Sequence, residues 1–503
     1  MTSSPRVLNN ALFNLLGGVA PALVTIFTIP YVVHQLGDAS YGVLTLVTSI
    51  IGYFALLDIN VTAGSVKFVA EHHAKQDHAR VCQTITFGLW VYLAIGIVGM
   101  LGIWALAHVM VTSLFNIPEQ LHAISLQALR WAAIGFLVGQ LQAYLQSVPQ
   151  ALQRYDVSGR IEAIFGTLVP ILTVGLLACG WGLVEVVVLR VAASALHCLS
   201  LAWAIRRLLP SFYFASPEAD VRRGILSFSA FSFLSRIAAL SYAHADKLLI
   251  GALMGMEQVT YFAVASTLAN RVMSLTGRLS GVIFPVASAL AATKEMTRLE
   301  EIYLQSSRYV FFINGAAVLL LACFSFPILH FWMGARFAEQ GALIMAVIAL
   351  SQLIDSMTNI PSLVNDGLGH PRVSGLFAVT RALIGLGMLY LGVELSGSVG
   401  AAWAHFWASA LMTALFVFYV HGKTVPVSLG HVMDVAYSRP AAILALTGAM
   451  AWSLSGPAIG TIWVLVLAVA ITCVVLCVAG FLWVLYPGHR QLMTTRLRQL
   501  MTS

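Results

Sequence analysis

Charge is scarce in this chain: Lys, Arg, Asp and Glu make up only 9% of its 503 residues, where a soluble domain carries about 25%. That shortage excludes an ordinary water-soluble globular protein. Acid is scarcer than base, leaving a formal net charge of +7, yet no basic run accompanies a polar domain. The lysines and arginines sit beside apolar stretches, so the sequence offers no platform for nucleic acid. The six cysteines (Cys82, Cys179, Cys198, Cys323, Cys473 and Cys477) lie in or next to apolar segments without a paired extracellular pattern. That distribution argues against a disulfide framework or a metal site. A phosphate-binding loop is missing, and with it the expectation of direct ATP hydrolysis. The first apolar stretch is too long for a cleavable signal peptide and lacks a small-residue cleavage site, so it is expected to persist as a first helix. Long polar loops are missing as well. The longest polar connection, 206–224, is about 19 residues, too short for a catalytic domain; the chain is expected not to be an enzyme and to carry no cofactor.

What is present is apolar sequence in long runs. Hydrophobic residues make up 59% of the chain and the mean hydropathy is +0.88. Roughly 20 apolar residues are needed to cross a hydrocarbon core about 30 Å thick. Fourteen such spans are expected, at 7–35, 41–66, 83–110, 123–149, 159–180, 183–207, 225–253, 256–285, 303–332, 341–366, 375–394, 397–421, 440–456 and 459–486. A closed β-barrel is excluded, because its strands alternate in polarity over about ten residues. The gaps after even-numbered spans hold nearly all the connecting basic residues, among them Lys67, Lys75, Arg80, Arg154, Arg206, Arg207, Arg222, Arg223, Lys294, Arg298 and Arg372. The gaps after odd-numbered spans hold Asp38, Glu119, Glu257, Glu339 and Arg336. By the positive-inside rule both termini are expected to be cytoplasmic.

An internal repeat organises the spans. The segment around 32–50 resembles that around 249–270, with Tyr41 opposite Tyr261; each is a long helix, a short turn containing Gly, and a second long helix beginning near the Tyr. The expected fold is therefore an all-α membrane protein with about 14 transmembrane helices. Its expected parts are an N-terminal lobe over 1–210, a C-terminal lobe over 211–424, and two extra helices with a basic tail over 425–503, the lobes surrounding a central cavity. Internal repeats of this kind are common in secondary transporters.

Ionisable side chains inside such spans are costly and face a protein interior or a wet cavity. Span 7 carries Arg236, His244, Asp246 and Lys247, with Arg236 and Lys247 on one face roughly 16 Å apart. Span 8 carries Arg271 and Arg278, span 4 Arg130, span 11 Arg381, span 6 Glu185 and Arg190, span 2 Asp58, and span 10 Asp355. Plain alternatives stand beside a functional role. Asp246 and Lys247 can neutralise each other, Arg278, Arg381 and Asp366 can reach the interface, and Glu185 with Arg190 reads best as a pair near the surface. Arg130, Arg236, Lys247 and Arg271 lie too deep to reach water easily. Several buried cations without equal buried anions imply an anionic guest. Span 1 adds a stripe of Asn10, Asn14, Gly17, Pro21, Thr25 and Thr28, which reads equally as close packing or as cavity lining.

Pro30, Leu36-Gly37, Tyr41-Gly42, Leu57-Asp58 and Val69-Ala70-Glu71, with "HADKLLIGALMGMEQVTYFAVA" in the second half, resemble bacterial polysaccharide flippases of the multidrug/oligosaccharidyl-lipid/polysaccharide exporter superfamily. Asn60 stands where that family commonly has Gly. The resemblance implies alternating access in the bacterial inner membrane. Its cargo would be an oligosaccharide on undecaprenyl diphosphate, moved from the cytoplasmic to the periplasmic leaflet. On that footing Arg130, Arg236, Lys247, Arg271 and Arg278 are the candidates for binding the headgroup charge. Asp58, Asp246 and Asp355 are candidates for ion coupling or for holding the cations. No cofactor is implied, and coupling would draw on an H+ or Na+ gradient or the membrane potential. The implied partners are the lipid-linked oligosaccharide, membrane lipid, and a polysaccharide polymerase with its chain-length machinery. A lipid II flippase, a cation-coupled multidrug antiporter and a membrane polymerase are the alternatives. An exporter of organic cations would favour buried acids, and a polymerase would need larger loops.

Overall fold

In hydrocarbon every backbone N–H and C=O must find a partner within the protein, and a long apolar run does this by closing into a helix. The computed structural model describes residues 21–58, 61–223, 225, 244–280, 283–455, 459–491 and 494–495, and these contain helices and no strand. Nine helical runs among them are long and apolar enough to cross a bilayer. The chain is thus an all-helical, multi-pass membrane protein. The nine do not count out the fourteen expected spans. Most of the seventh falls in 226–243, outside the described residues, and the eleventh and twelfth form one run.

Two units divide the chain, Met1–Thr260 and Tyr261–Ser503. The first contains α1 (Pro21–Leu36), α2 (Asp38–Phe54), α3 (Val61–Ala74), α4 (His78–Val109), α5 (His122–Ala151), α6 (Tyr155–Ala178), α7 (Leu183–Leu208), α8 (244–253) and the first turn of α9 (Met256–Ser280). The second contains the rest of α9, then α10 (Ile283–Thr293), α11 (Met296–Cys323), α12 (Ser325–Met333), α13 (Ala335–Gly367), α14 (Pro371–Lys423), α15 (Leu429–Val432), α16 (Arg439–Leu454) and α17 (Ile462–Ala479). The two turns paired by the repeat share their geometry. Gly37 precedes α2 with φ +79° and Gly255 precedes α9 with φ +101°, a left-handed conformation that glycine adopts without steric cost.

The expected second span, 41–66, is not one helix. After α2 the chain tightens into a 3₁₀ turn, Ala55–Leu57, and turns extended at Asp58 before α3 begins. The cause is a contact with α4. Asp58 is buried, and its Oδ1 accepts the Tyr92 hydroxyl from α4 at 2.7 Å. That hydroxyl also accepts the Thr62 backbone N–H at 3.2 Å and bonds the Thr62 side chain. Tyr92 stacks on Tyr144 of α5 with ring centroids 5.1 Å apart, and the Tyr144 hydroxyl donates to the carbonyls of Thr84 and Ile85. Gly88 makes this fit possible, since a Cβ there would lie 2.0 Å from the Tyr144 ring.

In the second unit α14 runs 53 residues but breaks at Ser396 and Gly397, where Gly397 has φ +61°. This is the junction expected between spans 11 and 12. Its two arms touch backbone to backbone: a Cβ on Gly400 would lie 1.8 Å from the Gly392 carbonyl oxygen. At the far end of the chain, buried Arg308 of α11 donates to the Trp483 carbonyl at 2.5 Å, beyond the end of α17. The same guanidinium lies 5.0 Å from the centre of the Tyr486 ring. Tyr309 completes the attachment, its hydroxyl meeting His489 Nδ1 at 2.7 Å and the Tyr486 N–H at 3.3 Å.

Candidate functional site

The face of α2 beyond its glycine turn repeats hydroxyls at Tyr41, Thr45, Thr48 and Ser49, spacings that put them on one side of a helix. Two are satisfied by their own helix, Thr48 bonding the Leu44 carbonyl at 2.8 Å and Ser49 the Thr45 carbonyl at 3.0 Å. This face borders a cavity of about 260 Å³ in the first unit, lined also by Arg190 of α7 and by His244 and Lys247 of α8. A second cavity of about 190 Å³ adjoins it, sharing Leu44, Thr48 and Arg190 and reaching Gly135 of α5 and Ser194 of α7. Arg190 therefore stands in the wall common to both. Close packing seats α8 against α2, because a Cβ on Gly52 would lie 2.4 Å from the His244 ring.

Lys247 is held in place by its neighbour. Its Nζ donates to Asp246 Oδ1 at 3.1 Å and Oδ2 at 3.2 Å, and its backbone N–H reaches Oδ1 at 2.7 Å. Asp246 itself is 6% exposed. The lining of the larger cavity thus contains two cations, a titratable imidazole and four hydroxyls, and no carboxylate. Asp246 answers the charge of Lys247, so the excess positive charge of the lining is that of Arg190, whose guanidinium offers a planar pair of donors suited to phosphate oxygens.

Arg190 comes to this site against expectation. Glu185 does not pair with it; Glu185 Oε2 instead accepts the Gly182 N–H at 2.9 Å and caps the start of α7. The hydroxyl stripe of α2 also escaped the sequence reading, although its spacing was there to be read. Of the other sequence candidates, Arg130 is exposed and lies over Trp104 at 5.6 Å from the ring centre; it does not line either cavity. Arg271 is exposed on α9. Arg236 lies outside the described residues, as do the side chain of Arg278, the span 1 residues Asn10, Asn14 and Gly17, and Asn60. Asp58 serves the Tyr92 hydroxyl. Asp355 is in the second unit, where its Oδ2 accepts Arg381 Nη2 at 2.6 Å, and the same nitrogen donates to Ser409 at 3.0 Å. Asp366 accepts the Ser374 hydroxyl at 2.7 Å in the turn between α13 and α14. Among the described residues no group of three His, Cys, Asp or Glu side chains gathers to hold a metal.

With this geometry in hand, comparison with known proteins is informative. A family model described as "Polysaccharide biosynthesis protein" matches residues 35–341. A curated relative from Shigella flexneri, described as "Putative O-antigen transporter", is 21% identical over 407 residues, covering 79% of this chain and 93% of the relative. Among solved structures, the lipid II flippase MurJ in an inward closed conformation superposes with TM-score 0.74 at 11% identity, covering 93% of this chain and 98% of that one. An inward-facing multidrug resistance transporter of the MATE family superposes with TM-score 0.71 at 12% identity, covering 84% and 99%. At such identities the likeness to the two structures is one of fold.

Proposed function

We propose that this chain, which belongs to the polysaccharide biosynthesis protein family, carries an oligosaccharide linked to undecaprenyl diphosphate across the bacterial inner membrane, from the cytoplasmic to the periplasmic leaflet. The observation that carries this reading is the cavity of the first unit, where Arg190, itself exposed, and Lys247 share the lining with a stripe of hydroxyls. A diphosphate suits the Arg190 guanidinium beside the Lys247–Asp246 pair, and a hydrated sugar suits the hydroxyls, while the prenyl tail stays in lipid. The O-antigen transporter description of the Shigella flexneri relative supports the same cargo class. Drug export of organic cations fits less well, because Arg190 and Lys247 would repel such a guest. Lipid II shares the diphosphate, so the charge of the cavity does not separate it from other lipid-linked sugars; the glycan does.

In this reading the lobes are 1–210 and 211–424 with an appended pair of helices over 425–503, and transport proceeds by alternating access. Arg190 and Lys247 bind the diphosphate first; Arg130, Arg236, Arg271 and Arg278 are held as further headgroup contacts. The ion pairs of Asp246 with Lys247 and Asp355 with Arg381, and the bond from Tyr92 to Asp58, support a holding role for the three acids. A polymerase and chain-length machinery act downstream as partners. The test is complementation of a strain lacking its polysaccharide flippase, with protein level followed in parallel. Arg190→Gln and Lys247→Gln should each lower glycan export about tenfold or more, the scale of one lost charge-assisted contact. Full export by both variants would sink the assignment. Purified protein in vesicles should move the glycolipid without ATP.

A further inference from the structure

The second unit contains a cavity of its own, about 180 Å³, between α13 and the two arms of α14. It has room for about six waters at ~30 Å³ each, or for one sugar ring with its hydroxyls. We propose that this cavity is a binding site for a single neutral pyranose, held by the Arg381 guanidinium and the Thr413 hydroxyl, with Phe416 beneath the apolar face of the ring. The inference rests on the reading of the cargo as a glycolipid and names a sugar subsite within it.

Three observations carry it. The lining mixes the hydroxyls of Thr358, Ser362, Ser374 and Thr413 with the Arg381 guanidinium and the rings of Phe377 and Phe416. Few placed polar groups against aromatic walls are the general make-up of a small-molecule site, and a pyranose presents both hydroxyls and a C–H face. Second, the charge is already balanced. Arg381 is bound to Asp355 at 2.6 Å and braced by Ser409 at 3.0 Å, so the site lacks the excess positive charge that an anion seeks. A neutralised guanidinium beside the Thr413 hydroxyl instead offers donors and an acceptor together, which is what a sugar hydroxyl, itself both, can use. Third, the site has an unanswered polar atom. Thr413 lines the cavity and is only 5% exposed, and its hydroxyl has no hydrogen-bond partner among the described residues. Buried polar atoms are nearly always paired, and a ligand hydroxyl would pair this one. The end of the cavity at the turn between α13 and α14 is already committed, with Ser362 bonded to Ser374 and Ser374 to Asp366. That leaves the Arg381 and Thr413 end for the guest.

The test uses the full chain in nanodiscs with Ala378→Cys, a change at a residue lining the cavity, and follows maleimide labelling of that peptide by mass spectrometry. The probes are methyl glycosides of glucose, galactose and N-acetylglucosamine, with inorganic diphosphate as the anionic comparison. At least one glycoside should slow labelling about fivefold, diphosphate should not, and adding Thr413→Val should weaken the protecting sugar about fivefold, the scale of one hydrogen bond. Thr413→Val should leave the melting temperature unchanged or raised, which separates lost binding from lost folding. The proposal is overturned if no glycoside protects, if diphosphate protects as well as the sugars, or if Thr413→Val binds sugar with unchanged affinity. Because free glycosides are the probes, protection without glycolipid transport would leave this site standing and remove the flippase reading. Transport without protection would do the reverse.

Discussion

His72 sits six residues beyond the expected cytoplasmic end of span 2, 6% exposed and stacked on Phe68. Burial holds its pKa below the ordinary 6.5, with nearby Glu71 opposing that shift only in part. Below pH 6.5 the unfolded chain therefore binds a proton at this residue more readily than the folded one. The stability held by the neutral ring is complete above 6.5 and is lost as pH falls through that value toward the folded pKa. The melting temperature of the purified protein should accordingly drop by a few degrees on acidification through this window, and His72→Phe should flatten that part of the profile; an unchanged slope in the variant would assign the effect elsewhere. Individual residues were the least legible level of the sequence. Lys247 and Asp246 were recognisable as a pair, because adjacency in the chain is adjacency in space. Arg190 was not recognisable as a cavity cation, because its surroundings come from α2 and α8, which lie far from it in sequence. Arg130 misled for the same reason: depth along a helix is readable, but the face it presents depends on neighbours such as Trp104.

At the level of elements, glycine decides which helices can touch. The hairpin within α14 closes because Gly392 and Gly400 leave their carbonyls free to approach, and a side chain at either would strike backbone. Gly400→Val should cost about 3 kcal/mol or more, beyond the range of ordinary overpacking, and should abolish the monodisperse peak in size-exclusion chromatography. Gly387 lies in the same helix with nothing within 4 Å of a built Cβ. Gly387→Ala should therefore stabilise by about 0.5–1 kcal/mol, the helix-propensity gain alone. Equal behaviour of the two variants would remove the close-approach argument. Elements were largely legible from apolar run length, including the break between spans 11 and 12. The break at Asp58 was not, because it depends on a bond to Tyr92, 34 positions away.

For the whole molecule, the even number of expected spans and the one-sided placement of basic loops predict both termini on the cytoplasmic side. A green fluorescent protein fused after Ser503 should fluoresce, and alkaline phosphatase at the same point should be inactive; an active phosphatase would invert the topology. All-helical class and repeat were visible in hydropathy and turn chemistry, which are local. The division into cavities was not, since a cavity is made by what several helices leave unfilled. The attachment of the last helix bears on any such measurement. Arg308 and Tyr309 rivet the chain at Trp483, Tyr486 and His489 to α11, so the end of α17 has no independent swing. A fluorophore placed near His489 is consequently a pointer fixed to the second unit, and whether its distance to a label on the first unit changes when glycolipid is added would test the proposed alternating access.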